Sequence, residues 1–150
     1  RGFEDALAKS LDLANRHGEG GVLAFIDLDD FKDINDNFGH AAGDLVLKRV
    51  GRVLSESVRA SDVVARLGGD EFAVLMVRAN HNEALARAHE FDTILNQASV
   101  SIDKKIIQIQ ASLGAAIFSP GDQAGEILRR ADEEMYRNKR SRTSGLRLLN

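Results

Sequence analysis

The 150-residue chain contains no cysteine, which excludes disulfides and thiolate zinc sites and suits the cytosol. It contains no apolar run approaching the roughly 20 residues of a membrane-spanning helix, and no signal-peptide pattern is visible. It also lacks a basic excess: 20 Lys and Arg against 23 Asp and Glu give a net charge of −3. Duplex nucleic acid is held largely through phosphate neutralisation, so neither a nucleic-acid partner nor membrane contact is expected. No Gly-x-x-x-x-Gly-Lys-Ser/Thr occurs, which excludes a Walker A phosphate loop. Internal repeats, low-complexity tracts and linkers are absent too. A chain of this length fits one domain, which buries roughly 68–70% of the surface its unfolded form exposes.

What is present divides by period. Phe3, Leu7, Leu11 and Ala14 stand at helical spacing and end in the glycine-rich stop His17-Gly18-Glu19-Gly20-Gly21. Val22 to Leu28 is a short, nearly continuous apolar run, the pattern of a central strand buried on both faces. Phe31 to Phe38 can form two helical turns before Gly39, and Leu47, Val50 and Leu54 give a second helix its apolar face. Two β-rich runs, Val63 to Leu67 and Phe72 to Val77, flank Gly68-Gly69-Asp70-Glu71, and a glycine pair between strands signals a hairpin because such turns need positive φ.

Ala84, Ala88, Phe91 and Leu95 mark another helix, and Val100 to Ile102 with Ile106 to Phe118 read as a second hairpin. Along its longer arm Ile107, Ile109, Ala111, Leu113, Ala115 and Ile117 point one way, and Gln108, Gln110, Ser112 and Gly114 the other. Pro120 and Gly121 end that arm, and Ile127, Leu128, Ala131 and Met135 line a last helix. Hairpins combined with a crossover over helices predict an α+β fold, a mixed, mainly antiparallel sheet covered by helices.

Two acidic stretches carry the chemistry: Asp27, Asp29 and Asp30 at the end of the first strand, and Asp70 with Glu71 at the hairpin tip. Carboxylates so placed can converge on Mg²⁺, which takes one or two of them together with substrate phosphates. Each stretch alone reads equally as a solvated loop. The bare backbone at Gly68 and Gly69 adds room for a nucleotide to approach closely.

The run Arg66-Leu67-Gly68-Gly69-Asp70-Glu71-Phe72 matches the signature of the GGDEF family. Asp27-Leu28-Asp29-Asp30-Phe31-Lys32-Asp33-Ile34-Asn35-Asp36 is similar to that family's first-strand motif, and Phe38-Gly39-His40-Ala41-Ala42-Gly43-Asp44 to its next one. Ala131 to Lys139 resembles its final helix, so the likeness spans nearly the whole chain. It implies a nucleotide-cyclase, ferredoxin-like fold and a diguanylate cyclase, which joins two GTP into cyclic di-GMP and releases pyrophosphate. A catalytically silent sensor of GTP or cyclic di-GMP, and a cyclase for another purine nucleotide, are the alternatives.

By the same resemblance Asp27, the Leu28 carbonyl, Asp70 and Glu71 would hold Mg²⁺, with Mn²⁺ as a substitute. Asp70 would be the base for the attacking 3′-hydroxyl. Lys32 and Lys139 would neutralise the triphosphate, Gly68 and Gly69 would admit it, and Asn35 and Asp44 would recognise guanine, with His40 beside the substrate. A carboxylate accepts from guanine N1–H and the exocyclic amine together, a donor pair adenine lacks. The family commonly has a phosphate-binding arginine four residues beyond the Lys139 position; Thr143 stands there, next to Arg142.

Arg59-Ala60-Ser61-Asp62 resembles the family's inhibitory site for its own product, with Arg87 in place of a helix arginine whose position is Glu90 here. One nucleotide site per chain implies a homodimer for catalysis. The chain begins at Arg1, where the family usually shows a segment ending in Asn-Arg, so residues 1–150 are expected to be one domain excised from a longer regulatory protein. A cytoplasmic location is expected, including as the cytoplasmic part of a larger, membrane-anchored protein.

Overall fold

The computed structural model of the chain describes residues 2–141. Its elements run α1 (Gly2–His17), β1 (Gly21–Leu28), α2 (Phe31–Phe38), α3 (His40–Ser57), β2 (Val63–Gly68), β3 (Glu71–Val77), α4 (His81–Gln97), β4 (Ser99–Ile102), β5 (Lys105–Gln108), β6 (Ala111–Phe118) and α5 (Ala124–Ser141). Four strands form one sheet in the order β2-β3-β1-β6, and β4 pairs with β5 in a separate two-stranded sheet.

Every adjacent pair in the main sheet is antiparallel. It follows that β1 and β2 run parallel with β3 between them, and β3 and β6 run parallel with β1 between them. These are the split crossovers of a ferredoxin-like α+β sandwich. The expected central strand is β1, whose Val22, Leu23, Ala24 and Ile26 are all essentially inaccessible.

The alternation of side chains across the sheet separates two cores. Val22, Ala24, Ile26, Phe72, Val74 and Met76 join Val46, Val50 and Leu54 of α3 and Phe91 and Leu95 of α4 on one face. Leu23, Leu75, Ala116 and Phe118 meet Leu7 and Leu11 of α1 and Ile127 and Ala131 of α5 on the other. Gly114 lies directly beneath α5: a Cβ there would strike the Met135 amide and the Ala131 carbonyl. Glycine therefore sets how closely the last helix lies on the sheet.

One expectation requires correction. The arm Ile106 to Phe118 is two strands, β5 and β6, belonging to different sheets. The chain changes sheets at Ile109-Gln110, where the Ile109 amide bonds to the Ala98 carbonyl at 2.9 Å and the Gln110 carbonyl accepts from the Asp29 amide at 2.8 Å. The Asn96 side chain then holds both backbone groups of Ala111, at 2.9 and 3.1 Å. The apolar alternation runs unbroken through this break because Ile107, Ile109, Ala111 and Leu113 all enter the same core.

Candidate active site

The site lies where β1 ends. In the register, Asp27 faces Glu71 of β3 on one side and Ser112 of β6 on the other. The Leu28 amide bonds to the Asp70 carbonyl at 3.1 Å, tying the first acidic stretch to the hairpin tip. At that tip Gly68 and Gly69 adopt φ of 148° and 50°, conformations that favour glycine. The Arg66 guanidinium donates twice to the Gly69 carbonyl, at 3.1 and 2.8 Å, and braces the turn.

From the opposite side α5 delivers Lys139. Its ammonium lies 3.1 Å from Asp29 Oδ1, 3.3 Å from Asp27 Oδ2 and 3.3 Å from the Leu28 carbonyl oxygen. Ser112 Oγ donates to the same Asp29 Oδ1 at 2.8 Å. Asp27 Oδ1 is buried and has no hydrogen-bond partner. Such an oxygen costs free energy unless a cation or donor meets it.

Electrostatics follow from this crowding. Burial first, then the Asp70 carboxylate and to a lesser degree Glu71, push the Asp27 pKa up to about 6, against the pull of Lys139. Burial opposes the charge on Lys139, but its bonds and the fields of Asp29 and Asp27 outweigh that and hold the amine above its ordinary value. Among the described residues no three His, Asp or Glu side chains form a ready-made metal cage. Two carboxylates, one of them with an orphaned oxygen, and a carbonyl fit an ion that completes its shell with water and phosphate, as Mg²⁺ does.

A second group of expected residues gathers at the α2–α3 junction. Asp30 turns the chain out of β1 in a left-handed conformation, φ 58°, which aspartate tolerates better than most residues. Asn35, on the last turn of α2, abuts Gly43 so closely that a Cβ at 43 would strike Asn35 Oδ1. Gly39 separates the helices with φ 90°. His40 and Asp44 are exposed on the first turns of α3. Lys32 is not drawn into the carboxylate cluster: its side chain is 88% exposed and its ammonium pairs with Asp36 at 3.1 Å. Arg142 lies outside the described residues.

The Arg59, Asp62 and Arg87 group does assemble, around a carboxylate with no exposed surface. Asp62 Oδ2 accepts from the Arg87 guanidinium and from the Arg59 amide, each at 2.9 Å. Asp62 Oδ1 accepts from the Val77 amide at 3.3 Å, while Arg59 Nη2 reaches the Val77 carbonyl at 2.7 Å. One buried nitrogen, Arg87 Nη1, has no hydrogen-bond partner.

Three participants were not among the expected site residues: Ser112 and Arg66 at the active end, and Asn96 at the sheet change. Asp29 was visible only as part of an acidic stretch. A lone polar Ser112 inside an otherwise apolar strand was the signal for its partner.

A family profile described as "Diguanylate cyclase, GGDEF domain" matches residues 1–144. The chain belongs to the GGDEF family. It is 38% identical to diguanylate cyclase TpbB of Pseudomonas aeruginosa over 148 residues, covering 97% of this chain and 34% of that protein. It is 36% identical to diguanylate cyclase DosC of Escherichia coli K12 over 128 residues, 85% of this chain and 28% of that one. The chain thus spans about a third of the length of these curated relatives.

The same GGDEF fold is seen in the crystal structure of the TpbB GGDEF domain, at a TM-score of 0.86 and 40% identity, covering 93% of this chain and 88% of that one. The GGDEF domain of DgcB from Caulobacter crescentus, solved in complex with c-di-GMP, matches with a TM-score of 0.86 and 28% identity over 95% of this chain and 85% of that one. The nucleotide-cyclase sandwich expected from the motifs is the observed GGDEF fold.

Proposed function

We propose that this GGDEF domain is a metal-dependent diguanylate cyclase that condenses two GTP into cyclic di-GMP and releases two pyrophosphates. The observation that carries the reading is the convergence of Asp27, the Leu28 carbonyl, Asp70 and Lys139 beside the Gly68-Gly69 pair of the hairpin. In each of two transfers a 3′-oxygen forms a bond to the α-phosphorus of the other nucleotide, the α–β phosphoanhydride breaks, and pyrophosphate leaves. One chain offers one such site, so two subunits must face each other, and holding the reactants in line supplies much of the rate.

Asp27, the Leu28 carbonyl, Asp70 and Glu71 would hold Mg²⁺, or Mn²⁺ in its place. The bound metal would supply charge stabilisation at the phosphates and lower the pKa of the attacking hydroxyl. Asp70 takes the proton from that hydroxyl. Lys139 and, after its exposed side chain swings from Asp36, Lys32 offset charge on the α-phosphate and the leaving group. Gly68 and Gly69 let the phosphates reach the backbone.

Asn35 and Asp44 read guanine, and His40 lines the same junction. Arg142 is the remaining cation assigned to the phosphates. Cyclic di-GMP is read as the ligand of Arg59, Asp62 and Arg87; that a GGDEF domain takes this ligand at all is supported by the DgcB domain, solved in complex with c-di-GMP. Residues 1–150 are read as one such domain of a longer regulatory protein, working in the cytoplasm where GTP is available.

Incubating the protein with GTP and Mg²⁺ and separating the nucleotides by chromatography tests the reading. Cyclic di-GMP and pyrophosphate are the expected products. A dimerised sample that binds GTP yet forms neither would assign the domain to the silent sensors.

A further inference from the structure

Lys139 does not wait in solvent for a triphosphate. Its ammonium contacts three oxygens, and two of them belong to groups assigned above to the metal, the Asp27 carboxylate and the Leu28 carbonyl. A single positive charge thus already occupies cation-binding oxygens. The third contact, Asp29 Oδ1 at 3.1 Å, has no metal role in that reading. That oxygen is also fixed from beneath by Ser112, the buried polar residue of β6 with no exposed surface.

We propose that Lys139 is an internal stand-in for the metal ion in the nucleotide-free domain. Asp29, pinned by Ser112, is then the positioning residue that retains the ammonium when metal and GTP displace it from Asp27. The inference rests on the metal-site reading above. Without the ammonium, Asp27, Asp29, Asp70 and Glu71 would crowd one sheet end without the cation that now bridges Asp27 and Asp29.

A lysine suits the task because its charge is a compact point on a flexible stem, able to pivot about one retained contact. Keeping Asp29 as that pivot leaves the ammonium beside the site, where it meets the incoming phosphates. Two cations on the one Asp27 carboxylate would repel strongly at such short range. Exchange of partners therefore follows from metal entry.

Mn²⁺ binding to the nucleotide-free protein, followed by electron paramagnetic resonance, tests this without turnover. Lys139→Met should tighten Mn²⁺ about ten-fold or more, and the effect should persist at about 0.5 M salt, where through-space attraction between exposed charges is largely screened. Asp29→Asn should weaken Mn²⁺ several-fold in the native background but less than about two-fold alongside Lys139→Met, the non-additivity expected of coupled neighbours. Ser112→Ala, which alters no charge, should weaken Mn²⁺ in the same direction and by less.

An unchanged affinity in Lys139→Met, or an effect erased by salt, would overturn the stand-in. An equal cost of Asp29→Asn in both backgrounds would make Asp29 a direct ligand and remove its positioning role. Mn²⁺ binding unaffected by Asp27→Asn would instead strike the metal-site reading itself, a separate failure.

Discussion

Asp27 and Glu71 are directly opposed across the β1–β3 ladder, which brings the two acidic stretches of the sequence onto adjoining strands. The hairpin tip carrying Asp70 is held there by backbone bonds and by Arg66, with its glycines exposed. Side-chain changes at the tip should thus alter chemistry and spare the core.

Asp70→Ala should abolish cyclic di-GMP formation while shifting stability by no more than about 0.5 kcal/mol, the usual range for a surface position. Chromatographic product assay and thermal melting of the same sample check both halves. Undiminished product from this variant would remove Asp70 from the metal and base roles.

The raised pKa of Asp27 fixes a pH dependence with opposite signs for activity and stability. Its folded value of about 6 exceeds the ordinary 3.8, so the native state keeps the proton longer than the unfolded chain. Stability contributed by this group is full below the unfolded pKa and is lost as pH rises through the folded one. The ionised form is the one able to hold a cation, so kcat/KM for GTP should fall as pH drops through about 6. Asp27→Asn should raise the unfolding free energy near pH 7 by on the order of 1 kcal/mol and eliminate activity. Urea melts across the acidic range, compared with native protein, measure this.

Product control should separate Arg59 from Asp62. Arg59 is half-exposed, with side-chain exposure of 48%, whereas the Asp62 carboxylate is wholly buried and holds Arg87. Arg59→Ala should abolish inhibition by cyclic di-GMP and leave the uninhibited rate intact. Asp62→Ala should cost about 3 kcal/mol, since it strands the partly buried Arg87 guanidinium. Calorimetry with cyclic di-GMP, active sites blocked by a GTP analogue, and denaturant titration distinguish the two. Equal binding by the native protein and the Arg59 variant would contradict the assignment.

Specific activity should rise with protein concentration until dimers saturate, or rise sharply on fusing a dimerising tag to the amino terminus. Rates per chain that stay flat into the monomer range, established by sedimentation, would contradict the two-subunit site.

Much of this architecture could be read in the chain before folding. The nearly continuous apolar run of β1, the helical spacing of Leu7, Leu11 and Ala14, and the Gly68-Gly69 pair each report a local preference, and local preferences survive into the fold. What escaped depended on register and distance. Ser112 and Asp29 stand 83 positions apart and meet only because β6 pairs with β1 in one register. The end of β5 was invisible because the apolar alternation continues through it; Asn96, on a helix, makes the break. Asp62 looks like a surface charge in its polar surroundings, and only the packing of α4 shows it to be buried.

The bare backbone at Gly114 has a mechanical consequence. Because α5 rests on it without an intervening side chain, that glycine is the fulcrum of the helix that carries Lys139. A single methyl group there would act as a wedge beneath the middle of a long lever. Its far end, where a few tenths of an ångström separate a bonded ammonium from an unbonded one, would register the lift most. Gly114 thus calibrates the reach of a charge it never touches.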